Sequence, residues 1–166
     1  MSELSFVSPG EARPENGFAP RTASPLARAL AGADGIGDLS LLGKLEVRGP
    51  TSGIDADVDA TVGDVMRITP DRALVICDLD DAPALRAQLP GTVVDVTSAL
   101  AGIEVGEEQL LRRLTDLALD RLPAVGKVAD VPALVARDGD RFRIFFPQEY
   151  GDSVVAAVRD VQDGLR

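Results

Sequence analysis

Two residue counts limit the chemistry open to this chain. The sequence contains no histidine and a single cysteine, Cys77. Ser-His-Asp and Cys-His arrangements therefore cannot form, and one cysteine without histidine cannot build an ordinary zinc site. Cys77 directly follows the apolar run 73–76, so we interpret it as a small buried strand residue. Any acid–base catalysis would have to use aspartate, glutamate, lysine, arginine or tyrosine.

Carboxylates are concentrated in a polar stretch that holds Asp55, Asp57, Asp59 and Asp64. The spacing lacks the glycine and terminal glutamate of a calcium-binding EF-hand loop. A solvated acidic surface connection over residues 51–64 is the favoured interpretation.

A second acidic group, Asp78, Asp80 and Asp81, follows the cysteine. Two such carboxylates could share acid–base work. Acidic residues are also common before a helix, where they suit the positive end of its dipole, and we favour that interpretation.

One charged set has the spacing of a strand face. Lys44, Glu46 and Arg48 alternate with Leu45 and Val47, which is the period-two pattern of a strand. The three charged side chains would share one face. That face is either solvated or a docking surface for a partner subunit, where arginine is common, and the sequence leaves both open.

Composition argues against nucleic-acid and membrane partners. The net charge is −10 and the pI is about 4.4, so a phosphate backbone or an anionic membrane surface would be repelled. No apolar run approaches the ~20 residues that span a bilayer. The N-terminal residues show no basic, apolar signal sequence, and a lone cysteine fits a reducing compartment. We expect a cytoplasmic protein.

The elements that would position these residues alternate between strands and helices. Residues 1–23 are rich in proline and glycine and predict an extended or disordered arm, and residues 24–166 predict a single domain. Asp138-Gly139 is typical of a hairpin turn. Periodicity predicts helices over 26–30, 80–89, 107–117 and 149–165, and strands over 36–48 with a break at Gly43, 65–69, 72–78, 92–96, 101–105, 128–131, 133–137 and 141–146.

An imperfect repeat divides the domain into two halves. Residues 38–40 and 44–47 recur as 95–97 and 102–105, and an Asp-Arg pair opens an apolar strand at 71–75 and again at 140–144. The prediction is an α+β fold with two related strand-plus-helix half-domains and mainly antiparallel sheets, packed to bury their apolar faces. Phe142, Phe145 and Phe146 are predicted core residues, and the adjacent pair must serve opposite faces of its sheet.

These blocks carry a family resemblance. Residues 37–50, GDLSLLGKLEVRGP, resemble the opening block of aminomethyltransferase-type proteins. Blocks 71–76, 94–97 leading into the helix 107–117, and 139–147 follow in that family's order. The start Ser24-Pro25-Leu26 and the run 114–123 are more similar to the gamma subunit of heterotetrameric sarcosine oxidase. The resemblance covers about residues 24–163.

The resemblance implies a fold and a role. The fold would be like the folate-binding domain of the glycine-cleavage aminomethyltransferases, or T-proteins. The chain would be a non-catalytic structural subunit of a heteromeric, flavin-dependent sarcosine or N-methyl amine oxidase or dehydrogenase. Larger flavoprotein subunits would carry FAD, FMN, NAD and tetrahydrofolate. This chain would supply no catalytic, cofactor-binding or metal-binding residue, and Lys44, Glu46 and Arg48 would be its docking residues.

Departures from the family pattern concern the folate pocket. The segment before the second block is shortened to residues 51–60, and no catalytic aspartate aligns with it. The acidic residue that contacts folate in the family corresponds to Arg143. Its loss would leave the donor edge of a pterin unpaired on burial. The alternative is a stand-alone tetrahydrofolate-binding or one-carbon-transfer module of the same fold.

Overall fold

The computed structural model describes residues 23–49, 54, 58 and 62–165. These residues form nine strands and three α-helices. In chain order the elements are β1 (Ile36–Asp38), β2 (Gly43–Arg48), β3 (Gly63–Thr69), β4 (Arg72–Cys77), α1 (Ala82–Gln88), β5 (Thr92–Asp95), β6 (Leu100–Val105), α2 (Glu108–Leu114), β7 (Ala124–Val128), β8 (Val131–Asp138), β9 (Arg141–Pro147) and α3 (Gly151–Asp163).

The strands form two antiparallel sheets. One has five strands in the order β1-β6-β9-β8-β7, and the other has four in the order β3-β4-β2-β5. The predicted α+β class with antiparallel sheets is therefore confirmed. The first strand of each half lies in the sheet of the other half, since β1 pairs with β6 and β5 pairs with β2.

The internal repeat is visible as two matching turns. The backbone N–H of Ser40 donates to Oδ1 of Asp38 at 2.9 Å, and the N–H of Thr97 donates to Oδ1 of Asp95 at 2.9 Å. Aspartate side chains commonly stabilise turns by bonding the backbone two residues on. In each half, the turn after the first strand is therefore stabilised by the same hydrogen bond between an aspartate side chain and the backbone.

Both turns then bind the second strand of the opposite half. The N–H of Gly102 donates to Oγ of Ser40 at 3.2 Å, and the N–H of Lys44 donates to Oγ1 of Thr97 at 2.9 Å. In both halves the residue before the hydroxyl donates its N–H to the carbonyl of the same partner, also at 2.9 Å. The repeat had aligned Lys44 with Gly102, so the strand exchange follows an approximate two-fold relation.

The core has three apolar layers. Helices α2 and α3 contribute to a cluster on the five-stranded sheet that includes Phe142 and Phe146, and α1 packs on the four-stranded sheet with Leu45 and Cys77. Phe145 lies between the two sheets. The predicted division of the adjacent phenylalanines between two faces is confirmed, and so is the burial of Cys77.

The predicted helix over residues 26–30 is wrong. Residues 25–32 form consecutive turns, with hydrogen bonds that span both three and four residues. Ser24 caps the first turn, because its Oγ accepts the N–H of Leu26 at 3.0 Å. The mixture of three- and four-residue hydrogen bonds prevents a regular helix, and the buried side chain of Leu26 anchors the segment.

The predicted strand over residues 128–131 is also wrong, because a tight hairpin turn lies there. Ala129 and Asp130 have φ of 49° and 63°, the left-handed values of a two-residue type I′ turn. Alanine is not a usual residue at such a position, so the residue types do not indicate a turn here. The hairpin at Asp138-Gly139 is confirmed, with Gly139 at φ 58° between β8 and β9.

Three smaller differences concern connections. Helix α2 ends at Leu114, before the predicted end. Asp81 lies at the N-cap of α1, but its side chain makes no capping hydrogen bond. Ile54 and Val58 are buried, so the predicted surface connection contributes core residues. Its neighbours Asp55, Asp57 and Asp59, and the arm over 1–22, lie outside the described residues.

Candidate functional site

The three charged residues of β2 lie at very different depths. Lys44 is 0% exposed and Glu46 8%, whereas Arg48 is exposed. Lys44 and Glu46 pair in register with Ile76 and Leu74 of β4, which belong to the apolar cluster between the two sheets. The five-stranded sheet therefore covers this end of β2, and the solvent-face interpretation is wrong for Lys44 and Glu46.

The docking role of these residues stays a prediction. Lys44 has no accessible surface for a partner to touch. Arg48, with 62% of its side chain exposed, is the member of the set that a partner could contact directly. The other two would act by holding the strand and its arginine in place.

Lys44 is satisfied by backbone carbonyls. Its Nζ donates to the carbonyl oxygens of Ser40 at 2.8 Å and Leu42 at 2.7 Å. Burial lowers the pKa of Lys44 to about 8, and the carboxylates of Asp38 and Asp95 oppose this shift in part. The amine therefore fastens the loop between β1 and β2, and its contacts leave no substrate position beside it.

Glu46 joins two arginines that lie opposite each other on neighbouring strands. Its Oε1 is 2.5 Å from Nε of Arg48, and its Oε2 is 2.9 Å from Nη2 of Arg72. Burial by itself raises the pKa of Glu46, but the hydrogen bonds from Arg72 and Arg48 outweigh it and hold the pKa below its usual value. One carboxylate thus offsets two adjacent like charges.

The second half contains a related cluster around Glu104, which the repeat aligns with Glu46. Oε1 of Glu104 lies 2.5 Å from Nε of Arg141, and its Oε2 lies 3.8 Å from Nε of Arg143. Arg141 is the repeat equivalent of Arg72. Each half therefore places a glutamate on its second strand beside an arginine at the start of the strand it pairs with.

Arg143 connects the two sheets. Its Nη1 lies 2.5 Å from Oδ2 of Asp64 on β3, and its Nη2 bonds Asp138 at the end of β8. Only 19% of the Arg143 side chain is exposed, whereas the side chains of Asp64 and Asp138 are 57% and 53% exposed, so solvent reaches these charge-assisted bonds from the carboxylate side. Asp64 is therefore a solvent-exposed residue of β3 that pairs across the two sheets.

Sequence reasoning missed the residues that complete these clusters. Arg72, Glu104 and Arg141 were noticed only as parts of the repeat, and no role was predicted for them. The repeat contained the signal, since a charged residue on the same face of equivalent strands predicts an equivalent partner.

Two small clefts border Arg143. One of ≈ 190 Å³ is lined by residues of β3, β8 and the segment before β7, and one of ≈ 230 Å³ by residues of β3, β4 and the loop before β2. Ligand pockets commonly measure about 300–1,000 Å³. Arg143, bound to its carboxylates, lines both clefts.

A larger cleft of ≈ 830 Å³ lies on the outer side of the five-stranded sheet, between α2, β7 and α3. Leu117 and Gly126 form part of its wall, together with charges of both signs from Arg113, Asp116 and Lys127. The sequence did not predict this cleft, since it depends on α2 ending before Leu117.

The clusters suit structural roles better than catalysis. The carboxylates nearest to the sheet interface are ion-paired, and burial raises the pKa of the Cys77 thiol, which keeps it protonated. Within residues 23–49, 54, 58 and 62–165, no group of three or more metal-binding side chains comes together. No helix in the same ranges has the length and apolarity to cross a bilayer.

Comparison with known proteins shows similarity at the level of fold. No protein-family model and no curated protein matches the sequence. The structure is similar to a chain of the heterotetrameric sarcosine oxidase from Corynebacterium sp. U-96, solved in complex with pyrrole 2-carboxylate. The TM-score is 0.70 and the identity 17%, over 86% of this chain and 95% of that chain. The α+β fold of this chain is therefore that of a sarcosine oxidase chain.

A weaker similarity is to the ligand-free regulatory subunit of aspartate kinase from Thermus thermophilus. The TM-score is 0.49 and the identity 10%, over 76% of this chain and 97% of that chain. With so low a score this similarity has no bearing on function.

Proposed function

We propose that this chain is a non-catalytic structural subunit of a heteromeric, flavin-dependent sarcosine or N-methyl amine oxidase. The observation that supports this most directly is the fold similarity to a chain of a heterotetrameric sarcosine oxidase, which extends over 86% of one chain and 95% of the other. The two chains are therefore of similar length, as expected if both fill the position of a small subunit such as gamma.

The chemistry of the space between the sheets supports a structural role. Arg143 occupies it and binds Asp64 and Asp138, and the clefts beside it measure ≈ 190 and 230 Å³. The partner subunits would hold FAD, FMN, NAD and tetrahydrofolate and oxidise the amine in the cytoplasm. This chain would contribute surface and rigidity to the assembly.

Co-expression tests this proposal. The chain is produced together with the large flavoprotein subunits of a sarcosine oxidase-type complex from the same genome, and the native mass of the purified assembly is measured. We expect the chain to co-elute with flavin absorbance in a fixed ratio to the larger subunits. A chain that always elutes alone and without colour would contradict the proposal.

The competing function is a stand-alone tetrahydrofolate-binding module. A pterin bound between the sheets would need an unpaired carboxylate, whereas Asp64, Glu104 and Asp138 are all within ion-pair distance of Arg143. Titration calorimetry of the isolated chain with reduced folate separates the two functions. Heat of binding that disappears in Asp64→Asn would favour the folate module over the structural subunit.

A further inference from the structure

At one end of the four-stranded sheet lies an apolar and basic surface that none of the described elements covers. In register across β4, β2 and β5 lie Arg72, Arg48 and Thr92, and one step further along the sheet Val94 lies beside Glu46. Paired residues share a face, so these side chains are on the face that elsewhere packs against the other sheet. We call Arg48, Arg72, Thr92 and Val94 the arginine-pair surface.

The two ends of this face differ in what covers them. Toward Lys44, the face is closed by Leu134, Ala136 and Phe145 of the other sheet, all buried. Toward Arg48, the sheet extends past that contact. The side chains of Arg48 and Arg72 are 62% and 49% exposed, and Val94 is 37% exposed. The surface therefore continues the inter-sheet interface at an end where the described part of the chain provides no second layer.

The charge balance at this end differs from that of its repeat equivalent. Around Glu104, the arginines at 141 and 143 face three carboxylates, those of Glu104, Asp64 and Asp138. Around Glu46, two arginines share one carboxylate in the part of the chain that is described. In a chain of net charge −10, this is a local excess of positive charge.

The donors of the two guanidinium groups fit carboxylate recognition. Glu46 is held by Nε of Arg48 and Nη2 of Arg72. Each group is planar and can bind a carboxylate through two parallel N–H bonds. A buried apolar contact with arginine beside it is a common composition for the centre of a protein interface.

We propose that the arginine-pair surface docks a carboxylate-bearing surface of a partner subunit. This inference rests on the proposed function, since it names the place and chemistry of the subunit contact. Aspartate or glutamate side chains of the partner would bond Arg48 and Arg72, and an apolar residue would cover Val94. The partner would thereby supply carboxylates like those of Asp64 and Asp138, which lie beside Arg143 in the equivalent cluster around Glu104.

The test measures the affinity of the chain for its co-expressed flavoprotein subunits. Val94→Asp places a negative charge on the surface beside Glu46, where it would repel carboxylates of the partner, and Arg48→Gln removes one donor group. Arg28→Gln is the matched control, because Arg28 forms an exposed ion pair with Asp152 elsewhere. We expect Val94→Asp and Arg48→Gln to weaken association about fivefold or more, and Arg28→Gln to leave it unchanged.

The outcomes separate the two proposals. If the wild-type chain does not associate with the flavoprotein subunits, the proposed function fails and this inference fails with it. If the wild-type chain associates and the folded Val94→Asp and Arg48→Gln variants bind equally well at low and high salt, the inference alone is overturned. An affinity that falls as salt rises, and falls less in Arg48→Gln, supports carboxylate recognition.

Discussion

Nη1 of Arg143 on the five-stranded sheet lies 2.5 Å from Oδ2 of Asp64 on the four-stranded sheet. This ion pair joins two sheets that otherwise meet through a small apolar cluster. Because Arg143 also binds Asp138 and lies near Glu104, its removal would leave Asp64 and Asp138 without this cation, while Glu104 would keep Arg141.

Replacement of this arginine should therefore destabilise the fold. We expect Arg143→Met to lower the free energy of unfolding by roughly 2 kcal/mol, the order of cost for leaving charged partners unsatisfied. Urea denaturation followed by circular dichroism measures the change. Arg28→Met, at an exposed ion pair, should change stability by less than about 1 kcal/mol. An equal loss of unfolding free energy in the two variants would show that the inter-sheet ion pairs of Arg143 contribute no more than an exposed ion pair.

Lys44 should make stability depend on alkaline pH. Its pKa is lowered from 10.5 to about 8 in the folded chain, so between these values the unfolded state binds more protons than the folded state. Stability then rises with pH across that window, because deprotonation relieves the burial of a charge. The free energy of unfolding of wild type, relative to Lys44→Met, should increase as pH rises through about 8 toward 10.5.

The comparison with Lys44→Met cancels the titrating groups that both proteins share and that do not interact with residue 44. Urea denaturation at a series of pH values from neutral to alkaline gives the difference directly. Curves that run parallel over the whole series would mean that the folded state does not perturb the amine.

Gly126 should be intolerant of a side chain. A Cβ at this position would lie 2.5 Å from Cδ2 of Leu117, which packs across β7. We expect Gly126→Ala to cost about 1–3 kcal/mol of stability, the usual range for overpacking. The measurement is the shift in the urea midpoint.

A double variant distinguishes this contact from a general effect of alanine. In Gly126→Ala with Leu117→Ala, the cost of the first substitution should largely disappear, since residues in contact are not additive. Gly164→Ala is the control, because its Cβ would meet neighbours at ordinary contact distances. Full additivity of the two substitutions would contradict the described packing.

The hairpin between β7 and β8 should be improved by glycine. Ala129 has φ of 49°, a left-handed conformation that costs a residue with a Cβ about 1 kcal/mol. Ala129→Gly should therefore raise the unfolding free energy by up to about 1 kcal/mol, less the extra entropy of glycine in the unfolded chain. Ala87→Gly in helix α1 should have the opposite sign, and a loss of stability in both would show that the turn is not strained.

Periodicity and the repeat predicted most of the strands, the antiparallel α+β class and the opposite faces of Phe145 and Phe146. They did not predict the depth of Lys44 and Glu46. Alternation assigns a residue to one face of a strand, but it cannot tell whether a second sheet covers that face. The turn at Ala129 was missed because its conformation is imposed by the pairing of β7 with β8, against the preference of alanine.

The ion clusters could not be predicted from the pattern of a single strand, because their members lie on different strands. Glu104 and Arg143 meet only when β6 pairs with β9, and Asp64 joins them only when the two sheets pack, so their separation in sequence gives no local pattern. The repeat could have supplied part of the answer, since it aligns Glu104 with Glu46 and Arg141 with Arg72.

The exchange of β1 and β5 makes each half incomplete without the other. A fragment ending near Pro90 would lack β5, the strand that pairs with β2, and the remaining fragment would lack β1, the strand that pairs with β6. Neither half is therefore an independent folding unit, and two fragments cut at that point should regain structure only when mixed. Unfolding should consequently be a single cooperative event in which both sheets are lost together. A destabilising substitution in one half should therefore also loosen the surface of the other half.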